Sequence, residues 1–188
     1  MTSLKHVATL VSDRPQFTGN ITDLAFVETA QGTILLSVSN TGAGLNAYLL
    51  GAVDDPARSV TREQFQSFGT YFSAPKMQVI AGPDDSYRII VTGQGGSVHS
   101  SLLMTGGGNL RNDGPGFAPT AIAGDVVAMN VFDAGGQTYV LAGQDGSMDL
   151  QLYRMGTDMA LTRLGSARPG GTMAVDAEYT DIEVVQIG

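Results

Sequence analysis

Apolar residues in this chain come in short alternating runs, each closed by a turn signal. Residues 139–156 read YVLAGQDGSMDLQLYRMG: an apolar run, a glycine-rich turn and a second run. Residues 89–106 read IIVTGQGGSVHSSLLMTG and share the Gly-Gln-x-Gly-Ser turn. Residues 34–51, ILLSVSNTGAGLNAYLLG, repeat the plan with a looser turn. Period-two alternation between Gly, Asn and Asp turns is the mark of antiparallel hairpins.

Strands are expected over 22–28, 34–39 and 45–50, then 77–81, 87–93 and 97–104, then 125–132, 138–143 and 148–153. Outer strands follow at 109–119, a Gly/Pro-rich segment, and at 159–164. Residues 60–72 are ambiguous, because Phe65 and Phe68 fall at helical spacing. Gly69 and the flanking turns favour a strand there, ended by Ala74-Pro75. Residues 180–187, TDIEVVQI, repeat the Thr-Asp start of 22–28. The first strands of each unit thus begin near 22, 77, 125 and 180, at intervals of 55, 48 and 55 residues.

Four short strands per unit at this period predict an all-β, β-propeller-like array of four-stranded antiparallel blades. The units run 22–75, 76–124 and 125–179, with the start of another at 180–188 and a possible closing strand at 4–11. About three blades plus flanking strands leave a ring open. A partial propeller, belonging to a longer chain or closed by other chains, is the expectation; an evenly spaced β-sandwich is the alternative.

Composition supports short strands and tight turns: 25 of 188 residues are Gly and only 15% are charged. The formal net charge of −8 opposes binding to phosphate backbones, so no nucleic-acid partner is expected. The absence of Cys removes disulfides and thiolate chemistry. No apolar run approaches the length of a membrane span, and residues 1–16 lack the apolar core of a secretory signal.

Candidate chemistry is sparse. Gly42-Ala43-Gly44-Leu45-Asn46-Ala47 matches a dinucleotide fingerprint but leaves no room for the helix that must follow. Asp145 and Asp149 place oxygens near one turn as calcium loops do, making calcium the one cofactor suggested. The loop lacks the glycine and distal glutamate of an EF-hand, and Asp145-Gly146 is itself a favoured hairpin turn. His6 and His99 are the only histidines, with no nucleophile elbow beside them. Arg14, Arg62, Arg111 and Arg163 fall in or near outer-strand segments, where charge discourages edge pairing.

The phrases TGNITDLAFVETAQGTILLSVSNTGAGLNAYLL (18–50) and YVLAGQDGSMDLQLYRMG (139–156) resemble the N-terminal propeller-like region of RTX-type secreted calcium-binding proteins of alphaproteobacteria. The resemblance implies export through a C-terminal signal, downstream calcium-binding repeats and an extracellular or cell-surface location. No Gly-Gly-x-Gly-x-Asp repeat occurs in this chain. The expected role is a non-enzymatic binding or structural module offering blade loops to a glycan or protein partner. Two alternatives accompany it. One is a propeller-type hydrolase or lyase with a channel metal held by Asp23, Asp125 and Asp181. The other is a subunit of a larger assembly, self-associating through open sheet edges.

Overall fold

The runs of alternating polarity become twelve strands. A computed structural model describes residues 19–40, 44–51, 60–67, 73–94, 100–115, 122, 126–144, 146–147, 149–157, 160–168, 182 and 184. In chain order the strands are β1 (Ile21–Thr29), β2 (Gly32–Ser39), β3 (Gly44–Leu50), β4 (Val60–Ser67), β5 (Ser73–Ala81) and β6 (Ser86–Gln94). They continue as β7 (Ser100–Thr105), β8 (Leu110–Pro115), β9 (Val126–Ala134), β10 (Gln137–Gln144), β11 (Leu150–Met155) and β12 (Leu161–Ala167). No helix occurs among the described residues.

The strands form three separate four-stranded antiparallel sheets, ordered β1-β2-β3-β4, β5-β6-β7-β8 and β9-β10-β11-β12. Among the described residues they close no barrel. Each sheet is a meander, so every strand pairs with its neighbour in sequence across a short connection.

Alternation decides what each face meets. In β6, Ile89 and Val91 join the first core with Val27, Ile34, Leu36, Val38 and Leu45 of the first sheet. Ile90, between them, joins the second core with Val126, Met129, Val140, Ala142 and Tyr153. The middle sheet is therefore apolar on both faces, sandwiched between the other two. Burying these side chains supplies the stabilisation that no single four-stranded sheet achieves alone, since each large side chain contributes about 1.5–3 kcal/mol. The first strands lie beside one another, β1 against β5 and β5 against β9. At the far edge β4 approaches β8.

Local chemistry explains the departures from the expected boundaries. Residues 60–67 are a strand and not a helix; the Phe65 ring packs over Gly44, where a β-carbon would collide with it. Gly44 opens β3, so the apparent dinucleotide fingerprint runs into a strand. The middle sheet begins at Ser73, earlier than the expected Met77, with Pro75 inside it. Pro75 has no N–H to offer the ladder, and the register slips between Ser73 and Lys76. Ala74 adopts φ 49° in this irregularity. Its N–H donates to Asn40 Oδ1 at 2.7 Å, and Pro75 O accepts from Thr22 Oγ1 at 2.6 Å. The kink is thus held by the first sheet. The expected closing strand at 4–11 lies outside the described residues, as does 180–187 apart from Ile182 and Val184.

Candidate functional site

Polar residues of the first strands join the sheets. Asp23 of β1 accepts from Met77 N of β5 through Oδ2 at 2.9 Å. Gln78 of β5 donates from Nε2 to Met129 O of β9 at 3.0 Å and accepts from Val131 N at Oε1, 3.4 Å. Asn130 of β9 donates from Nδ2 to Ile182 O at 3.2 Å. Each side chain points forward along the chain, to a backbone partner 51 to 54 residues later. A polar side chain that supplies the missing partner of a backbone amide fixes register where an apolar one would only fill space.

A cavity of about 240 Å³ opens along this seam, lined by Asp23, Lys76, Gln78 and Asn130 with Met77, Met129 and Ile182. It is chiefly polar, with Lys76 its cationic group. The Asp23 carboxylate also accepts from Leu24 N at Oδ1, 3.0 Å, so both of its oxygens are engaged by backbone. Lys76, Gln78 and Asn130 escape sequence reasoning. Their one signal is a polar side chain set among the apolar residues of a first strand.

The opposite end of the same strands is a second junction. The β1–β2 turn is clasped by two turns of the middle sheet. Ala30 N donates to Asp85 Oδ2 at 3.3 Å, and Thr29 Oγ1 donates to Gly106 O at 2.7 Å. The Tyr87 hydroxyl faces both Glu28 O and Asp85 Oδ1, each at 2.9 Å. Desolvation raises the Tyr87 pKa above its ordinary value, and the hydrogen bond and charge of Asp85 push the same way. Tyr153, in the second core, is also raised by burial, with Arg163 opposing. A larger cavity, about 480 Å³, lies between the middle and third sheets, with Ile80, Leu103 and Met155 as its apolar wall and Arg88, Thr138 and Thr157 as polar groups. Arg88 Nη1 donates to the buried Ser101 Oγ at 2.9 Å.

The suggested calcium residues divide. Asp145 lies outside the described residues. Asp149 Oδ1 receives Arg168 Nε at 2.8 Å, an ion pair that occupies the carboxylate with a cation of the protein's own. The segment is a turn: Gly146 has φ 67°, and Ser147 N donates to Gln144 O at 3.1 Å. Asp125, Asp181, His6 and His99 also lie outside the described residues. Among the described residues no group of three metal-binding side chains converges. Of the arginines, Arg62, Arg111 and Arg163 sit in the outermost strands β4, β8 and β12. No described helix is long and apolar enough to cross a membrane.

No protein-family model matches the chain, and no curated protein matches its sequence.

Proposed function

We propose that the three sheets are consecutive blades of a propeller-like array, and that the chain is a non-enzymatic binding module presenting its turns to a glycan or protein partner. The forward-pointing hydrogen bonds of Asp23, Gln78 and Asn130 carry this reading. They set first strand beside first strand at the period of the repeat, as blades around an axis require. Their polar groups are spent on backbone, which is why binding is preferred over hydrolysis at a channel metal. The turns at 30–31, 83–85 and 135–136 belong to corresponding hairpins and carry Gln31 and Asp84, side chains suited to sugar hydroxyls or peptide amides. An extracellular or cell-surface setting, and kinship with RTX-type exported proteins, extend the proposal from the sequence resemblance. A glycan array and a pull-down with the whole chain test it. Capture that weakens on Asp84→Ala or Gln31→Ala supports the reading. Absence of capture, beside metal-dependent turnover of a glycoside or ester, overturns it.

A further inference from the structure

Hairpin register matches positions between the sheets. Phe26 opposes Leu35, Val79 opposes Ile89 and Val131 opposes Val140. Three residues before each, Asp23, Lys76 and Ala128 share one place in the first strands β1, β5 and β9. Two residues further along, Ala25, Gln78 and Asn130 share the next place on the same face. Ile182 continues the series, because Asn130 donates to its carbonyl as Gln78 donates to that of Met129.

Asp23, Lys76 and Ala128 all line the cavity of about 240 Å³. Two sheets thus bring a charged side chain to this place and the third only a buried methyl group, which leaves room. The two charges differ in their commitments. Asp23 is held by Leu24 N and Met77 N, one on each oxygen. Lys76 leaves β5 on the side of Gln78, and its ammonium has no hydrogen bond or ion pair among the described residues. Gln78 and Asn130 each give one amide proton to a backbone carbonyl and keep a second. The cavity is therefore rich in unspent donors, one of them a cation.

We infer that this cavity binds a small monocarboxylate, whose oxygens accept from the Lys76 ammonium and from the spare amide protons of Gln78 and Asn130. An ionised carboxylate is a pure acceptor and matches unspent donors. The volume, about 240 Å³, lies below the roughly 300–1,000 Å³ of pockets for drug-sized ligands, too small for a nucleotide or an oligosaccharide. One ammonium beside Asp23, in a chain of net charge −8, matches a single negative charge and disfavours a phosphate dianion. The site lies at the opposite end of the first strands from the turns offered to a glycan or protein, and it does not depend on that ligand.

Amide NMR of the whole chain, titrated with sodium acetate or sodium L-lactate at constant ionic strength, tests it. The side-chain amide signals of Gln78 and Asn130 should shift saturably with either salt, and should not when sodium chloride replaces it. Lys76→Met should weaken binding at least about tenfold, through loss of a charge-assisted contact. Ala128→Leu should abolish it by filling the cavity, with Lys76 still in place. Circular dichroism verifies that the strands persist. Should either variant fail to fold, Lys76→Gln or Ala128→Val substitutes for it. The absence of saturable shifts below about 50 mM of both carboxylates overturns the inference. So do equal shifts with chloride, and binding that survives loss of the Lys76 charge or the filling of the cavity.

Discussion

Asp85 lies against Gly106 with no space for a β-carbon between them. Asp85 has φ 53°, and its carboxylate is held by Ala30 N and the Tyr87 hydroxyl, so it has little freedom to retreat. Gly106→Ala should destabilise the protein by about 1–3 kcal/mol, the range for forcing atoms into a packed site. In an Asp85→Ala background the same change should cost much less, because the colliding group is gone. A double-mutant cycle by urea unfolding reads the coupling. Equal costs in both backgrounds would remove the clasp from the account of how the first two sheets are joined.

Tyr87 gives the same junction a pH dependence. Its folded pKa is raised above the ordinary value, chiefly by desolvation and then by Asp85. A raised pKa favours the protonated phenol in the native state. The stabilisation is therefore fully present below the unfolded value of about 10 and disappears as pH rises through the higher folded value. Unfolding midpoints should fall on going from roughly pH 9 to pH 11, and Tyr87→Phe should lessen that fall. Tyr153, raised by its own burial, accounts for a further part, so Tyr87→Phe alone leaves a residual slope. An unchanged slope in Tyr87→Phe would show that the phenol does not couple the sheets.

The grouping of the strands in fours was legible because turn chemistry is local. Gly32, Gly135 and Gly146 have positive φ, a conformation that side-chain-bearing residues rarely adopt, and each marks a turn or its edge. Boundaries were less legible where the partner was distant. Pro75 reads as a breaker, yet it sits inside β5 because Thr22 and Asn40, far away in sequence, hold the kink. The seam roles of Gln78 and Asn130 were illegible for the same reason. Nothing near Gln78 in sequence announces that its amide serves a strand about 50 residues later. Asp149 was singled out for oxygen chemistry, but its cation, Arg168, lies 19 residues away across the β11–β12 hairpin.

Gln78 should prove a structural keystone of the second seam. Its amide satisfies Met129 O and Val131 N, and Gln78→Leu removes both partners while keeping bulk. Leaving buried backbone groups unpaired should cost about 1–3 kcal/mol. The more specific consequence is local. Amide exchange at Val131 should accelerate more than at Val140, its ladder partner in β10. Uniform acceleration across the sheet would mean that Gln78 contributes only to global stability and does not fix the register of β5 against β9.

At the turn through Gly146 and Ser147, backbone geometry should outweigh charge. Arg168 and Asp149 are 64% and 37% exposed at their side chains, and an ion pair in that setting contributes little. Arg168→Ala should change stability by no more than about 0.5 kcal/mol. Gly146, with φ 67° and open space around it, meets no steric obstacle but must hold a left-handed backbone. Gly146→Ala should therefore cost about 1 kcal/mol through conformation alone. Calcium added to the whole chain should leave the melting temperature unchanged, because among the described residues no group of three metal-binding side chains converges on Asp149. A calcium-dependent rise in melting temperature that vanishes in Asp149→Ala would reverse this order and make the turn a metal site, since a ligand that binds the folded state stabilises it.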